Sequence, residues 1–167
     1  MTEPPPEPHP ATRLVGLARA LIEQNQYLTL ATADADGRPW SSTVWYAASV
    51  RPGSEQQLAV EFIWLSRPEA RHSTNLVQRP EVGISIFDSS QPAGTGDGFQ
   101  CAALAELVPS AELDEAASTF STASLAAGGG AWARKQVEGS AVPRLYVARV
   151  ERAYLLGDGS RVELPLA

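Results

Sequence analysis

The chain has 167 residues, 44% hydrophobic and 19% charged, which suits one globular domain with a sizeable core. A net charge of −6 excludes general binding to nucleic-acid backbones, which needs a basic surface. One cysteine and two histidines exclude an intramolecular disulfide and a cysteine- or histidine-rich metal centre.

No apolar run approaches the ~20 residues needed to span a bilayer, so no membrane association is expected. The acidic, proline-rich start lacks the basic and then apolar layout of a secretory signal. A cytoplasmic location is the expectation. Met1–Pro10 holds five prolines and reads as a disordered tail, with a single domain over residues 11–167.

Thr12 is a candidate cap for a helix over Arg13–Gln26, where Leu14, Leu17, Ala18, Leu21 and Ile22 share one face. Tyr27–Ala33 reads as a strand. Asp36-Gly37 is a tight-turn signal, and Arg38–Ser49 reads as the return strand. Trp40, Val44 and Tyr46 fall on one side of it, and Ser41, Thr43 and Trp45 on the other. After a polar loop with Pro52-Gly53, Leu58–Leu65 is β-branched and aromatic, as strands prefer.

Ser66 and Glu69 have capping-box spacing, and Pro68 suits a first helical turn. Pro80 ends that helix near Gln78. Val82–Phe87 and Phe99–Val108 read as strands. Gly94, Gly96 and Gly98 precede a strand rather than a helix, which argues against a phosphate-binding glycine loop. Cys101 lies in an apolar run and reads as a buried, inert thiol.

Ser110 is a candidate cap for a helix to Ser121. Ala126–Ala131 reads as a flexible break, and Trp132–Gly139 as a segment with room for one short helix. Arg144–Leu156, the turn Asp158-Gly159 and Arg161–Leu164 supply the last strands. Six or seven strands on short turns favour antiparallel pairing, and closure into a barrel removes exposed edges. The fold expected is mainly β with helices (α+β), an antiparallel sheet of six or seven strands closed into a barrel.

No metal motif or Ser-His-Asp set is present, so any redox or transfer chemistry falls to a bound cofactor. Arg67, Arg71 and His72 lie early in the helix after Ser66. Cations there oppose the helix dipole, so an anionic ligand is one reading and a solvated helix face is the other. The stretch Trp40–Tyr46 sets hydroxyls beside tryptophans. That mix suits a planar-ligand pocket or a subunit interface. Gln100, Trp132, Arg134 and Lys135 carry no firmer reading.

LTLATADADGRPWSSTVWY, WLSRPEARHSTNLVQRPEVGISIFD and FQCAALAEL, in this order and spacing, resemble the FMN-binding split β-barrel proteins, the pyridoxamine 5′-phosphate oxidase-like family. The similarity runs over roughly Leu21–Val108. It implies a homodimer with two flavin sites between subunits and a small-molecule substrate. By the resemblance, Ser42, Thr43, Val44 and Trp45 line the flavin ring. Leu65 and Ser66 sit under the cofactor, Arg71 and His72 clamp its phosphate, and Gln100 contacts the ring.

The implied activity is an FMN-dependent oxidoreductase. The alternatives are a deazaflavin-dependent reductase on the same fold, or a non-catalytic flavin- or haem-binding or interaction protein. His72 stands where the family usually has lysine. Ser42 and Ala47 stand where vitamin B6 oxidases carry basic residues. The C-terminal Trp-Arg pattern of those oxidases is missing, which disfavours vitamin B6 oxidation.

Overall fold

The computed structural model describes residues 9–50, 55–92, 94, 96–157 and 160–167. In chain order these form α1 (Pro10–Gln24), β1 (Tyr27–Ala33), β2 (Pro39–Trp45), β3 (Ala47–Val50), β4 (Val60–Ser66) and α2 (Arg71–Gln78). Then come β5 (Glu81–Phe87), β6 (Gly98–Leu107), α3 (Leu113–Ala126), β7 (Arg144–Gly157) and β8 (Ser160–Leu164). The expectations for Met1–Pro8, Arg51–Ser54 and Asp158-Gly159 lie outside the described residues.

Eight strands, rather than six or seven, are present among the described residues. The extra one arises because the predicted return strand Arg38–Ser49 breaks at Tyr46. β2 pairs with β1, whereas β3 pairs with β4. At the break, the Tyr46 N–H donates to the Gln26 carbonyl at 3.3 Å. Its buried hydroxyl donates to the Ile22 carbonyl at 2.6 Å. The alternation of side chains continues through Tyr46, so nothing in the pattern marks the change of partner.

The strand order is β2-β1-β5-β6-β7-β4-β3, with β8 on β7, and every strand pair is antiparallel. The two ends of this path, β2 and β3, are joined through Tyr46 alone. The sheet must therefore curl until its ends meet, which makes the barrel. A register shift at Ala102/Ala103 in the β6–β7 pair adds the local bend that such curling needs.

The barrel interior is filled by Leu28, Leu30, Val44, Phe62, Trp64, Ile84, Ile86, Phe99 and Tyr146, with Val15, Ala18 and Ile22 of α1 packed on them. A second cluster lies outside the barrel. There Leu113, Ala116, Ala117 and Phe120 of α3 cover Ala47, Ile63, Leu145 and Val147. Cys101 is buried, and burial pushes its thiol up to about 12.

Three helix starts differ from expectation, each for a local reason. α1 opens at Pro10, which needs no N–H partner at that position, and His9 Nδ1 accepts from the Ala11 N–H at 3.2 Å. Pro10 is therefore helical rather than part of a tail, and Thr12 is not the cap. The Ser66–Glu69 capping box does not form. Ser66 ends β4 in register with Arg144, and α2 starts only after a turn closed by Ala70 N–H to the Arg67 carbonyl.

Ser110 is not the cap of α3, because its hydroxyl meets Arg134 Nη2 at 2.6 Å and Glu138. α3 itself runs on through Ala126, and Gly128 at φ +80° stops it. The segment after it holds a single 3₁₀ turn, Arg134–Gln136.

Candidate functional site at the barrel mouth

α2 lies across one end of the barrel, and its inward face is polar. Ser73 and Asn75 are buried beside Leu76, while Val77 is 80% exposed. That inversion of the usual helix pattern is explained by what the strands present at their ends. Asn75 Nδ2 donates to Thr32 Oγ1 of β1 at 2.9 Å. Ser73 Oγ donates to Ser66 Oγ of β4 at 3.2 Å. Buried polar groups without such partners cost about 1–3 kcal/mol each.

His72 joins the same group. Its Nε2 lies 2.7 Å from Ser66 Oγ, and its Nδ1 lies 3.1 Å from Ser42 Oγ of β2. Burial lowers the His72 pKa below its usual 6.5, which favours the neutral ring. The imidazole thus bridges β2 to β4, which flank the split and are not neighbours in the strand order.

Arg71 is the first residue of α2 and points the other way. Its guanidinium stacks 4.4 Å above the Trp40 ring, and its Nη2 is 3.9 Å from Asp34 Oδ2. The Arg71 side chain is 48% exposed. No side chain caps α2, and no acid lies in its first turn. An uncapped helix start with an adjacent arginine can receive an anion.

The expected site residues therefore fall into three groups. Ser42, Ser66, Arg71 and His72 meet at the barrel mouth, with His72 turned onto the serines and Arg71 open to solvent. Thr43 and Gln100 lie on the outer wall. Cross-strand register aligns Thr43, Thr29, Ser85, Gln100 and Tyr154 in one row, and opposed residues share a face.

Val44 points into the core. Trp45 and Leu65 pack against the α3 cluster, with Trp45 edge-on to Phe120 at 5.2 Å. Trp40, from the stretch read as a planar-ligand pocket or subunit interface, lies at the mouth, and Thr32, Asp34, Ser73 and Asn75 join it without having been expected there. For Ser73 and Asn75 the one sequence signal was the run of polar residues RHSTN at the start of the helix, and Thr32 and Asp34 carried none.

A groove of about 350 Å³ lies elsewhere, between α3 and the wall of β4 and β7. It is lined by Glu61, Glu112, Glu115 and Arg149, and Arg149 is ion-paired to Glu61, Glu106 and Glu112. Among the described residues, no group of three or more His, Cys, Asp or Glu side chains is placed to hold a metal. Among the described residues, no helix is long and apolar enough to cross a membrane.

A split antiparallel barrel with a helix across its mouth defines the class of protein. Within that class, the chain belongs to the pyridoxamine 5′-phosphate oxidase family, whose model matches residues 14–157. No curated protein matches it in sequence.

Among solved structures it is similar to a haem-binding protein from Mycobacterium smegmatis, with 22% identity, a TM-score of 0.69, and coverage of 96% of this chain and 60% of that one. This chain thus spans about 60% of that protein's length. HutZ, a haem storage protein from Vibrio cholerae, is similar at 20% identity and a TM-score of 0.61, over 86% and 94% of the two chains. An F420 reductase is similar at 21% identity and a TM-score of 0.55, over 81% and 94%. At these identities the likeness is one of fold.

Proposed function

We propose that this chain is a flavin-binding redox protein that takes FMN and acts on a small molecule. The observation that carries the reading is the uncapped start of α2 with Arg71 solvent-exposed beside it. These groups fit one phosphate: the helix start offers partial positive charge, and Arg71 offers a full charge with bidentate geometry. His72 is not counted as a second charge, because burial favours its neutral form and Ser42 and Ser66 hold its ring.

In this reading, Arg71 anchors the phosphate. The row Thr43–Gln100 supplies hydrogen-bonding groups toward the ring, and Trp45 supplies flat apolar surface. Bound flavin would supply hydride transfer between a reduced donor and the acceptor; the protein holds and orients it.

A second copy of the chain completes the site. The outer wall of β1, β2, β5 and β6 supports this part of the reading. It exposes Tyr27 and Phe87, and beyond the Thr29–Ser85–Gln100 row lies a flat band of Ala31, Gly83 and Ala102 aligned across β1, β5 and β6.

The haem-binding proteins among the structural neighbours favour a second reading, in which the ligand is a porphyrin with carboxylate tails. The F420 reductase favours a third, a deazaflavin with a phosphate-bearing tail. All three are flat and anionic. Parallel titrations of the purified protein with FMN, deazaflavin and hemin, read by absorbance and fluorescence after desalting, separate them. Retained FMN supports the proposal. FMN dissociation weaker than about 100 μM, or ~5.5 kcal/mol of binding, sinks it, and tight hemin or deazaflavin binding replaces it.

A further inference from the structure

Two arginines of the α2 segment straddle the β1–β2 turn, and they are used differently. Arg79, just past the helix end, donates to the Ala35 carbonyl at 3.0 Å. That contact is a close hydrogen bond and ties the turn to the helix. Arg71, at the other end, sits 3.9 Å from Asp34 Oδ2, beyond hydrogen-bond length. Its guanidinium rests on the face of Trp40 instead.

Asp34 is the more fixed partner. Its Oδ1 accepts the N–H groups of Asp36 at 3.1 Å and Arg38 at 2.9 Å, and its carbonyl accepts the Gly37 N–H at 2.9 Å. Gly37 at φ +82° completes the turn. One carboxylate oxygen therefore shapes the turn, while the other is left facing Arg71. Trp40 is 40% exposed and serves as the platform across which the arginine can swing.

We propose that Asp34 is the resident counter-ion of Arg71, a positioning residue that any anionic ligand must displace. This inference rests on the reading of Arg71 as the ligand's anchor. A tethered carboxylate carries one negative charge. A phosphate monoester carries close to two near neutral pH and offers three acceptor oxygens to a planar fork of donors. Exchange of Asp34 for such a dianion is favourable, whereas exchange for a lone carboxylate gains little. Asp34 thereby sets the class of ligand: phosphate esters over simple carboxylates.

The test uses inorganic phosphate as the probe, so that it does not depend on any cofactor. The side-chain Nε–H resonance of Arg71 is followed by NMR during phosphate titration of the wild type, Asp34→Asn, Arg71→Ala and the double variant, with overall binding measured calorimetrically where Arg71 is absent. Asn at 34 keeps the oxygen that accepts from Asp36 and Arg38, so the turn persists. The expected result is a phosphate affinity two- to fivefold tighter in Asp34→Asn, about the worth of an exposed ion pair. That gain disappears when Arg71 is also Ala.

Equal affinity in wild type and Asp34→Asn overturns the proposal. So does an equal gain in the Arg71→Ala background, and so does no phosphate response in any variant. Companion titrations with FMN and riboflavin then judge the functional reading separately. If phosphate shows the Asp34 dependence but FMN binds no better than phosphate, the counter-ion role stands and the flavin reading fails.

Discussion

The ring of His72 is hydrogen-bonded to Ser66 at 2.7 Å, and this contact ties the start of α2 to the end of β4. On the ring's other side, Ser42 carries the link to β2. The split of the barrel is therefore bridged at its mouth by a side chain, at a place where the strand order provides no ladder. The site's one titratable bridge is thus also a structural one, and its charge state has consequences for the fold.

His72 should make the protein acid-sensitive. Burial lowers its folded-state pKa below 6.5, so the unfolded chain binds a proton more readily than the native one does. Stability then rises with pH across that interval. The contribution is fully present above about 6.5 and is lost as pH falls through the lowered native value. Urea midpoints measured from pH 7.5 downward should drop more steeply for the wild type than for His72→Gln. Parallel curves for the two proteins would remove His72 from the account.

Tyr46 should be worth more than its apolar area. Its hydroxyl, buried between β2 and β3, donates to the Ile22 carbonyl in α1 at 2.6 Å. Burial raises its pKa well above the usual phenol value, so it stays protonated as a donor. In Tyr46→Phe the ring remains while the Ile22 carbonyl loses this donor. We expect a loss of about 1–2 kcal/mol, the range for a buried hydrogen bond whose partner is left unpaired, read from the denaturant midpoint at unchanged slope. A change under ~0.3 kcal/mol would mean that another donor or water takes its place.

Strand positions were largely legible because period-two alternation and turn residues carry them directly. Tyr27–Ala33 is a strand from end to end, and Asp36-Gly37 turns as its chemistry demands. Helix starts were less legible. The Ser66–Glu69 spacing satisfies a capping box on paper. Yet Ser66 belongs to β4, and its hydroxyl is claimed by His72 and Ser73 from six and seven residues away. A four-residue motif lost to side chains that lie outside its own window.

The break at Tyr46 was hidden for the same reason, since only the pairing partner changes there. The polar inward face of α2 was the hardest to see. Ser73 and Asn75 look like solvent residues until Thr32 and Ser66 are brought beneath them.

Arg71→Ala separates ligand anchoring from folding. The side chain is half exposed, and its ion pair with Asp34 is long, so its removal should leave the thermal midpoint nearly unchanged. FMN affinity should weaken by roughly 1.5–3 kcal/mol, the range for charged hydrogen bonds, and riboflavin affinity should hold. Equal loss for FMN and riboflavin would assign Arg71 to the ring rather than to the phosphate.

Self-association can be tested at Phe87. It is 55% exposed on β5 and pairs in register with Gly98 of β6, itself opposite Leu156 of β7. Tyr27 is exposed on the same outer wall. An apolar band of this kind, on a wall that α3 leaves uncovered, is the surface expected to meet a second copy. Light scattering should give the wild type about twice the chain mass of 17.8 kDa. Phe87→Asp sets a charge in the middle of that band and should give the single-chain mass. Because Phe87 already faces solvent in one chain, the variant should still fold, with its circular dichroism unchanged. A wild type that is monomeric at tens of micromolar, or a Phe87→Asp variant that stays dimeric, would rule this wall out as the interface, and with it a flavin site shared across it.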